Sequence, residues 1–468
     1  MQELKTDYLV VGAGAMGMAF TDVLMTESDV RIIIVDKHHQ PGGHWNDAYP
    51  FVRLHQPSAF YGVKSKQLGE NTIDTTGLNK GLYELATNEE VCSYFDQVMQ
   101  RQFLPSGRVR YFPSCEYQGN GEFSSLLSAE KYKVSFQKEV DSTYMNVVVP
   151  SRRPPPFTLS GNVRCAPLND LPALSQKYDH FNVVGAGKTA IDAVLFLLRN
   201  EVDPDNISWV MPRDSWILDR AQIQPTLKSI GTALTNQVVP GSESKNIDEF
   251  FSKVSDAGGL LRIDENVKPT MYRCSTVTKA ELIQLKRINK IIRMGRVKSI
   301  SETEIALEKG TVATDQNTLH IDCAGDGLAK RPPLPIFQDR KITLQSVRTC
   351  QQVFSAAFIG HVEVSYQDDE KKNGICRPVP HPNTDVDFLR NNVADSINQA
   401  NWDNDPKLQQ WLQNCRLDFS SHILNSSRLI KFMSLLNKIP FLRKPNRALE
   451  TQEKATRNIQ KLLKELDA

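Results

Sequence analysis

Two glycine clusters stand where a peptide backbone can meet a phosphate. The first, Gly12-Ala-Gly14-Ala-Met-Gly17, lies between the apolar run Tyr8-Leu-Val-Val11 and a helical run through Leu24. At this spacing Gly12 permits a tight turn, Gly14 lets main chain approach a pyrophosphate, and Gly17 lets helix and strand pack closely. The opening helical turn, with Ala15 and Met16, aims N–H groups and a positive dipole end at the anion. Asp36 follows Gly17 by nineteen residues, closing the run Arg31-Ile-Ile-Ile-Val-Asp36. A carboxylate there accepts bonds from ribose hydroxyls, and Lys37 stands beside it.

The second cluster, Gly185-Ala-Gly187-Lys188-Thr189-Ala190, follows Phe181-Asn-Val-Val184 and leads into a helix through Leu198. Ala190 replaces the third glycine, a tolerated variant. Its next strand, Ile207-Ser-Trp-Val-Met211, ends in Pro212-Arg213 and not in an acid. An arginine pairs with a 2′-phosphate that a carboxylate would repel, so the spacing favours NADP over NAD. Asp214 beside it works against that preference, and a solvated surface charge is the plain alternative for Arg213. Two nucleotide sites in one chain suggest an electron relay between a bound flavin and a visiting nicotinamide.

Two strand–turn–helix units this far apart require an α/β chain with two Rossmann-like dinucleotide-binding domains. Between them, Thr87-Asn-Glu-Glu90 reads as a capping box ahead of Val91, Tyr94, Phe95 and Val98 at helical spacing. Tyr144-Met-Asn-Val-Val-Val149 reads as a strand running into Pro150 and Pro154-Pro-Pro156, where a domain crossover is expected. Residues 219–260 are polar and weakly periodic, with no element assigned. From about 296 strands return, ending in Leu319-His-Ile-Asp-Cys-Ala-Gly325-Asp326, and the tail from Arg428 is helical and basic.

The 468 residues carry 56 basic and 54 acidic side chains, a formal charge of +2 that gives nucleic acid no electrostatic foothold. The eight cysteines include no C-x-x-C pair. That argues against a zinc ribbon or other metal site, and against the dithiol chemistry of disulfide reductases. No run approaches the roughly 18 apolar residues that span a bilayer, and the N-terminus lacks a signal-peptide layout. A soluble cytoplasmic protein is the expectation. The segment from Leu429 to Lys444 is amphipathic and basic, as a helix resting on an anionic membrane surface would be. A helix folded onto the protein body explains the same pattern and is preferred.

Further segments carry a family resemblance. Gly42-Gly43-His44-Trp45 resembles the GG-x-W segment of flavin-containing and Baeyer–Villiger monooxygenases, and Tyr49-Pro50 with Arg53 is similar to that family's next shared segment. Arg213-Asp-Ser-Trp216 resembles its arginine-x-x-tryptophan stretch at the NADP 2′-phosphate, and Asp322-Cys-Ala-Gly325-Asp326 its late A-T-G-type strand closing the FAD site. The resemblance implies an FAD domain from both ends of the chain (1–155 and 315–468) with an NADP domain (165–312) inserted. It implies that Gly43, Trp45, Gly325 and Asp326 join the cofactor contacts. It also implies that NADPH reduces FAD, and that retained NADP shelters a flavin 4a-hydroperoxide while it oxygenates a small organic substrate. His55, followed by Gln56, stands at the approximate place of the family's flavin-facing asparagine, although a histidine in Arg-Leu-His-Gln-Pro also suits a turn carbonyl. Trp45, taken alone, suits a core, and His381 in Pro378-Val-Pro-His-Pro382 suits a surface loop. The chain departs from the family at the F-x-G-x-x-x-H hallmark, since Phe157-Thr-Leu-Ser-Gly161 has no histidine at the required offset, and at Val149-Pro-Ser-Arg, an altered A-T-G stretch. The missing hallmark keeps open a reductase that inserts no oxygen, and neither pattern nor composition excludes a non-catalytic nucleotide sensor.

Overall fold

The computed structural model describes residues 1–325, 330–419, 421 and 445–467. Two parallel sheets organise it. In the first, Val109–Phe112, Ile32–Val35, Tyr8–Val11, Lys138–Asp141 and Lys341–Thr343 run side by side and parallel, with Phe337–Gln338 antiparallel at the edge. Numbered along the chain, the parallel strands stand in the order 3-2-1-4-5 of a dinucleotide-binding sheet. Ile32–Val35 is buried at every position, as continuous β-branched runs in sheets covered on both faces should be.

The second sheet lies in sequence between the strands of the first. Lys290–Ile292, Ile207–Val210, His180–Val184 and Thr318–Asp322 repeat the 3-2-1-4 order, and Cys165–Pro167 takes the fifth place. The architecture is therefore α/β with two Rossmann-like units. The strand Thr318–Asp322, expected in the returning part of the first unit from 315 onward, pairs instead with His180–Val184. It is the fourth strand of the second unit, and its partner there is the strand that feeds the second glycine turn. Smaller sheets flank the pair, among them Leu260–Leu261, Ser215–Asp219 and Met271–Val277.

Helix Ala15–Glu27 is apolar on almost every side because helix Gln352–Ser365 covers the face that the sheet does not. A Cβ on Gly360 would stand 3.2 Å from the Phe20 carbonyl oxygen, so this crossing tolerates little more than glycine. Thr87 caps helix Asn88–Val98 with the full capping box.

One expectation fails, and one unassigned stretch takes shape. Tyr144–Val149 is a turn, not a strand, because Asn146 sits at φ 40° and its amide bonds back to Thr143. Residues 219–260 are ordered into helices Leu227–Glu243 and Ile247–Asp256. Helix Pro445–Asp467 packs along Leu227–Glu243, with Ala455 and Ile459 over Gly241. The basic segment 429–444 and Asp326 lie outside the described residues. Among the described residues no helix is long and apolar enough to cross a membrane.

Candidate functional site

A cavity of about 1020 Å³ is lined by both glycine turns. Three helices start on its wall. Ala15–Glu27, Lys188–Arg199 and Gln352–Ser365 begin behind Gly14, Gly187 and Gln351, and no side chain caps any of the three. Elsewhere Thr87, Thr226, Asn246, Thr278 and Thr384 each accept a first-turn amide. Three helix starts without a side-chain cap thus lie on one cavity wall. Helix N-termini so placed suit anions.

The first turn is built by close approach. Gly12, at φ 102°, lies against Ser142, whose hydroxyl donates to the Val11 and Gly12 carbonyls at 2.6 and 2.9 Å. Val11 and Asp141 end the two strands at which the sheet order reverses, the place where such sheets bind ligands. A Cβ on Gly17 would fall 2.1 Å from the Gly12 oxygen, so Gly17 serves helix–strand packing and does not line the cavity. Gly14 is different. Its nearest neighbour is the Gly43 Cα, 3.6 Å from an added Cβ, and the space beyond is the cavity. Asp36 is buried and already engaged: Oδ2 accepts the Ala13 amide at 2.5 Å and Oδ1 the His38 amide at 2.7 Å. His38 bridges Asp36 and Asp47 at 2.9 and 3.0 Å, and the hydrogen bond to Asp36 raises its pKa above the usual imidazole value. Ala15, Met16, Asp36, Lys37 and Gly43 all line the cavity.

The second turn mirrors the first. Gly185, at φ 137°, faces the Cys323 carbonyl, where a Cβ would come within 2.5 Å; it shapes the turn from outside the lining. Gly187, Lys188 and Thr189 line the cavity. Lys188 pairs with Asp192 one helical turn on, and Asp192 also accepts the Tyr49 hydroxyl at 2.5 Å. Arg213 stands past the end of Ile207–Val210, away from the cavity lining, and donates to Asn383 Oδ1 at 3.0 Å. Its acidic neighbour Asp214 is bound twice by Arg293, at 2.8 and 3.0 Å. That pairing neutralises the charge that opposed an anion beside Arg213.

His55 and Gln56 line the cavity between the turns. Burial, followed by the charges of Lys188 and Arg220, drives the His55 pKa far below its usual value, so the ring is neutral. Arg220, 3% exposed, holds this stretch by donating to the His55 carbonyl at 2.8 Å while pairing with Glu281 at 2.9 Å. Trp45 is buried, donates to the Tyr61 hydroxyl at 2.8 Å and lines the cavity, as does Gly325. His381 also lines the cavity, contrary to a surface-loop placement.

Sequence reasoning missed three features: the helix start at Thr349–Val353, the Arg220 hub, and a disulfide between Cys274 and Cys350, both on the cavity wall. The apolar run from Val353 was signal enough for the helix. Nothing local links cysteines 76 residues apart.

Residues 10–59 match the model of the NAD(P)-binding Rossmann-like domain. The uncharacterized protein Rv2000 of Mycobacterium tuberculosis is 50% identical over 435 residues, covering 90% of this chain and 79% of that protein. Among solved structures, a flavin-containing monooxygenase from Stenotrophomonas maltophilia aligns at 11% identity and TM-score 0.46, over 77% of this chain and 97% of its own. Cyclohexanone monooxygenase from Rhodococcus sp. Phi1 bound to NADP+ aligns at 13% identity and TM-score 0.45, over 77% and 85%.

Proposed function

This chain belongs to the family of the mycobacterial uncharacterized protein Rv2000, and we propose that it is an FAD- and NADPH-dependent oxidoreductase that oxygenates a small organic substrate. The observation that carries the reading is the gathering of three uncapped helix N-termini, two of them behind glycine turns, on one cavity. Two dinucleotides bring two pyrophosphates, and the two glycine turns supply a cradle for each.

The residues fit the cofactors. A side chain at Gly14 would fill the space that a pyrophosphate needs, and none is there. FAD would lie along Gly12, Gly14, Ala15 and Met16, with Asp36 and Lys37 at its ribose end and Gly43, Trp45 and Gly325 on the remaining wall. NADPH would lie along Gly187, Lys188 and Thr189, with its 2′-phosphate toward Arg213. Bound there, the pair supplies two-electron redox chemistry. The chain orients the rings and keeps water from them. Neutral His55 can donate or accept one hydrogen bond without carrying a proton away, and Gln56 adds an amide beside it. The nicotinamide unit in this reading runs from Cys165–Pro167 through Thr318–Asp322, and the FAD unit takes the segments on either side.

A second reading ends at reduction, with electrons passed to an acceptor and no oxygen inserted. The disulfide on the cavity wall favours it. Both readings are tested by purifying the protein, recording flavin absorbance, and following NADPH consumption against hydrogen peroxide and oxygenated product. A colourless protein that takes up no added FAD overturns both.

A further inference from the structure

Cys274 and Cys350 form a disulfide with a Cα–Cα distance of 6.5 Å, within the range such bonds span. Cys274 lies in strand Met271–Val277, and Cys350 stands two residues before helix Gln352–Ser365. Of the four cysteines that line the cavity, Cys274 and Cys350 are partly exposed and Cys115 and Cys323 are buried. Cys92 and Cys165, also partly exposed, are not on its wall, and Cys376 and Cys415 are buried. Cys274 and Cys350 also sit in left-handed backbone, at φ 57° and 59°, a region that non-glycine residues seldom occupy and that tends to mark functional positions.

We propose that Cys274–Cys350 is a redox-active pair that exchanges with small thiols entering the cavity, a site independent of the flavin reading. A thiolate attacks Cys274 Sγ, the S–S bond breaks, and Cys350 leaves as thiolate with the electron pair. A second thiolate attacks the outer sulfur of the mixed disulfide and releases Cys274. Two thiols thereby become one disulfide, and their two protons end on the two cysteines. The reverse sequence reduces a small disulfide. The uncapped N-terminus of Gln352–Ser365 stabilises negative charge on Cys350, which makes it the leaving group in one direction and the attacking thiolate in the other.

The test is peptide mapping of the full-length protein under non-reducing conditions, with glutathione as probe. The expected result is a linked Cys274–Cys350 peptide that millimolar glutathione opens in the folded protein. Both thiols are then alkylated and the four buried cysteines are not. In Cys274→Ser, Cys350 should be alkylated by iodoacetamide at a lower pH than Cys274 is in Cys350→Ser. Protein isolated with free thiols still supports the site if oxidised glutathione forms the link. A link that opens only in denaturant, or two thiols that oxidised glutathione leaves unchanged, overturns it.

Discussion

The Tyr49 hydroxyl donates to Asp192 Oδ2 at 2.5 Å, joining the segment after the GG-x-W stretch to the helix behind the second glycine turn, 143 residues on. Burial, and then the Asp192 charge, pushes the Tyr49 pKa well up, so the phenol keeps its proton. Tyr49→Phe removes a hydrogen bond to a charged acceptor, a class worth about 1.5–3 kcal/mol, while Lys188 still pairs with Asp192. The urea midpoint should fall, while the KM for NADPH stays near the native value because Lys188 keeps its partner. An unchanged midpoint would show that this contact does not hold the units together.

Gly14→Val separates nucleotide binding from folding. Gly14 has an ordinary extended backbone (φ −74°), and an added Cβ meets only the Gly43 Cα at 3.6 Å. The chain should therefore fold with little loss of stability and purify without flavin. Gly17→Val should not fold, because its Cβ would lie 2.1 Å from the Gly12 oxygen. Full flavin occupancy in Gly14→Val would refute the pyrophosphate assignment.

Arg213→Ala tests nucleotide choice. Loss of a charge-assisted pair worth about 1.5–3 kcal/mol raises the KM for NADPH by about one to two decades and leaves NADH nearly untouched. Equal losses for both nucleotides would mean that Arg213 does not meet the 2′-phosphate.

The two glycine turns were legible because their chemistry is local: a strand, three spaced residues and a helix fall within one short window. Helices Leu227–Glu243 and Ile247–Asp256 carried weaker signals, although Asn246 with Glu249 three residues on marks the start of the second. Strand Thr318–Asp322 was recognisable as a strand but not by its sheet, since pairing with His180–Val184 depends on contacts nearly 140 residues apart. The Cys274–Cys350 link illustrates the same limit more sharply. A search for C-x-x-C spacing argued against dithiol chemistry, while the fold brought two distant thiols together.

His38 predicts a pH dependence. Its pKa is raised above the usual imidazole value, chiefly by the hydrogen bond to Asp36 and further by Asp47, against the pull of burial. The stabilisation is fully present below the unfolded value of about 6.5, and it is lost as pH rises through the higher folded value. The thermal midpoint of the native protein should decline over that window relative to His38→Asn, which lacks the titration. Parallel curves for the two proteins would remove His38 as the cause.

The last prediction concerns where the reducing equivalents go. His55 and Gln56 line the cavity between the two glycine turns, and Arg220 fixes their backbone through the His55 carbonyl at 2.8 Å. Because that bond uses main chain, replacing both side chains with alanine leaves it in place, and FAD uptake and its reduction by NADPH should persist. A neutral His55 ring, held so by burial and by Lys188 and Arg220, is suited to hydrogen-bonding an oxygen species while excluding water. Without it and Gln56, NADPH consumption should continue while its product shifts to hydrogen peroxide. Oxygenated product should fall at least tenfold relative to NADPH consumed. If the unmodified protein already returns every NADPH as peroxide, or as reduced acceptor under anaerobic conditions, His55 guards no oxygen chemistry and the reductase reading takes its place.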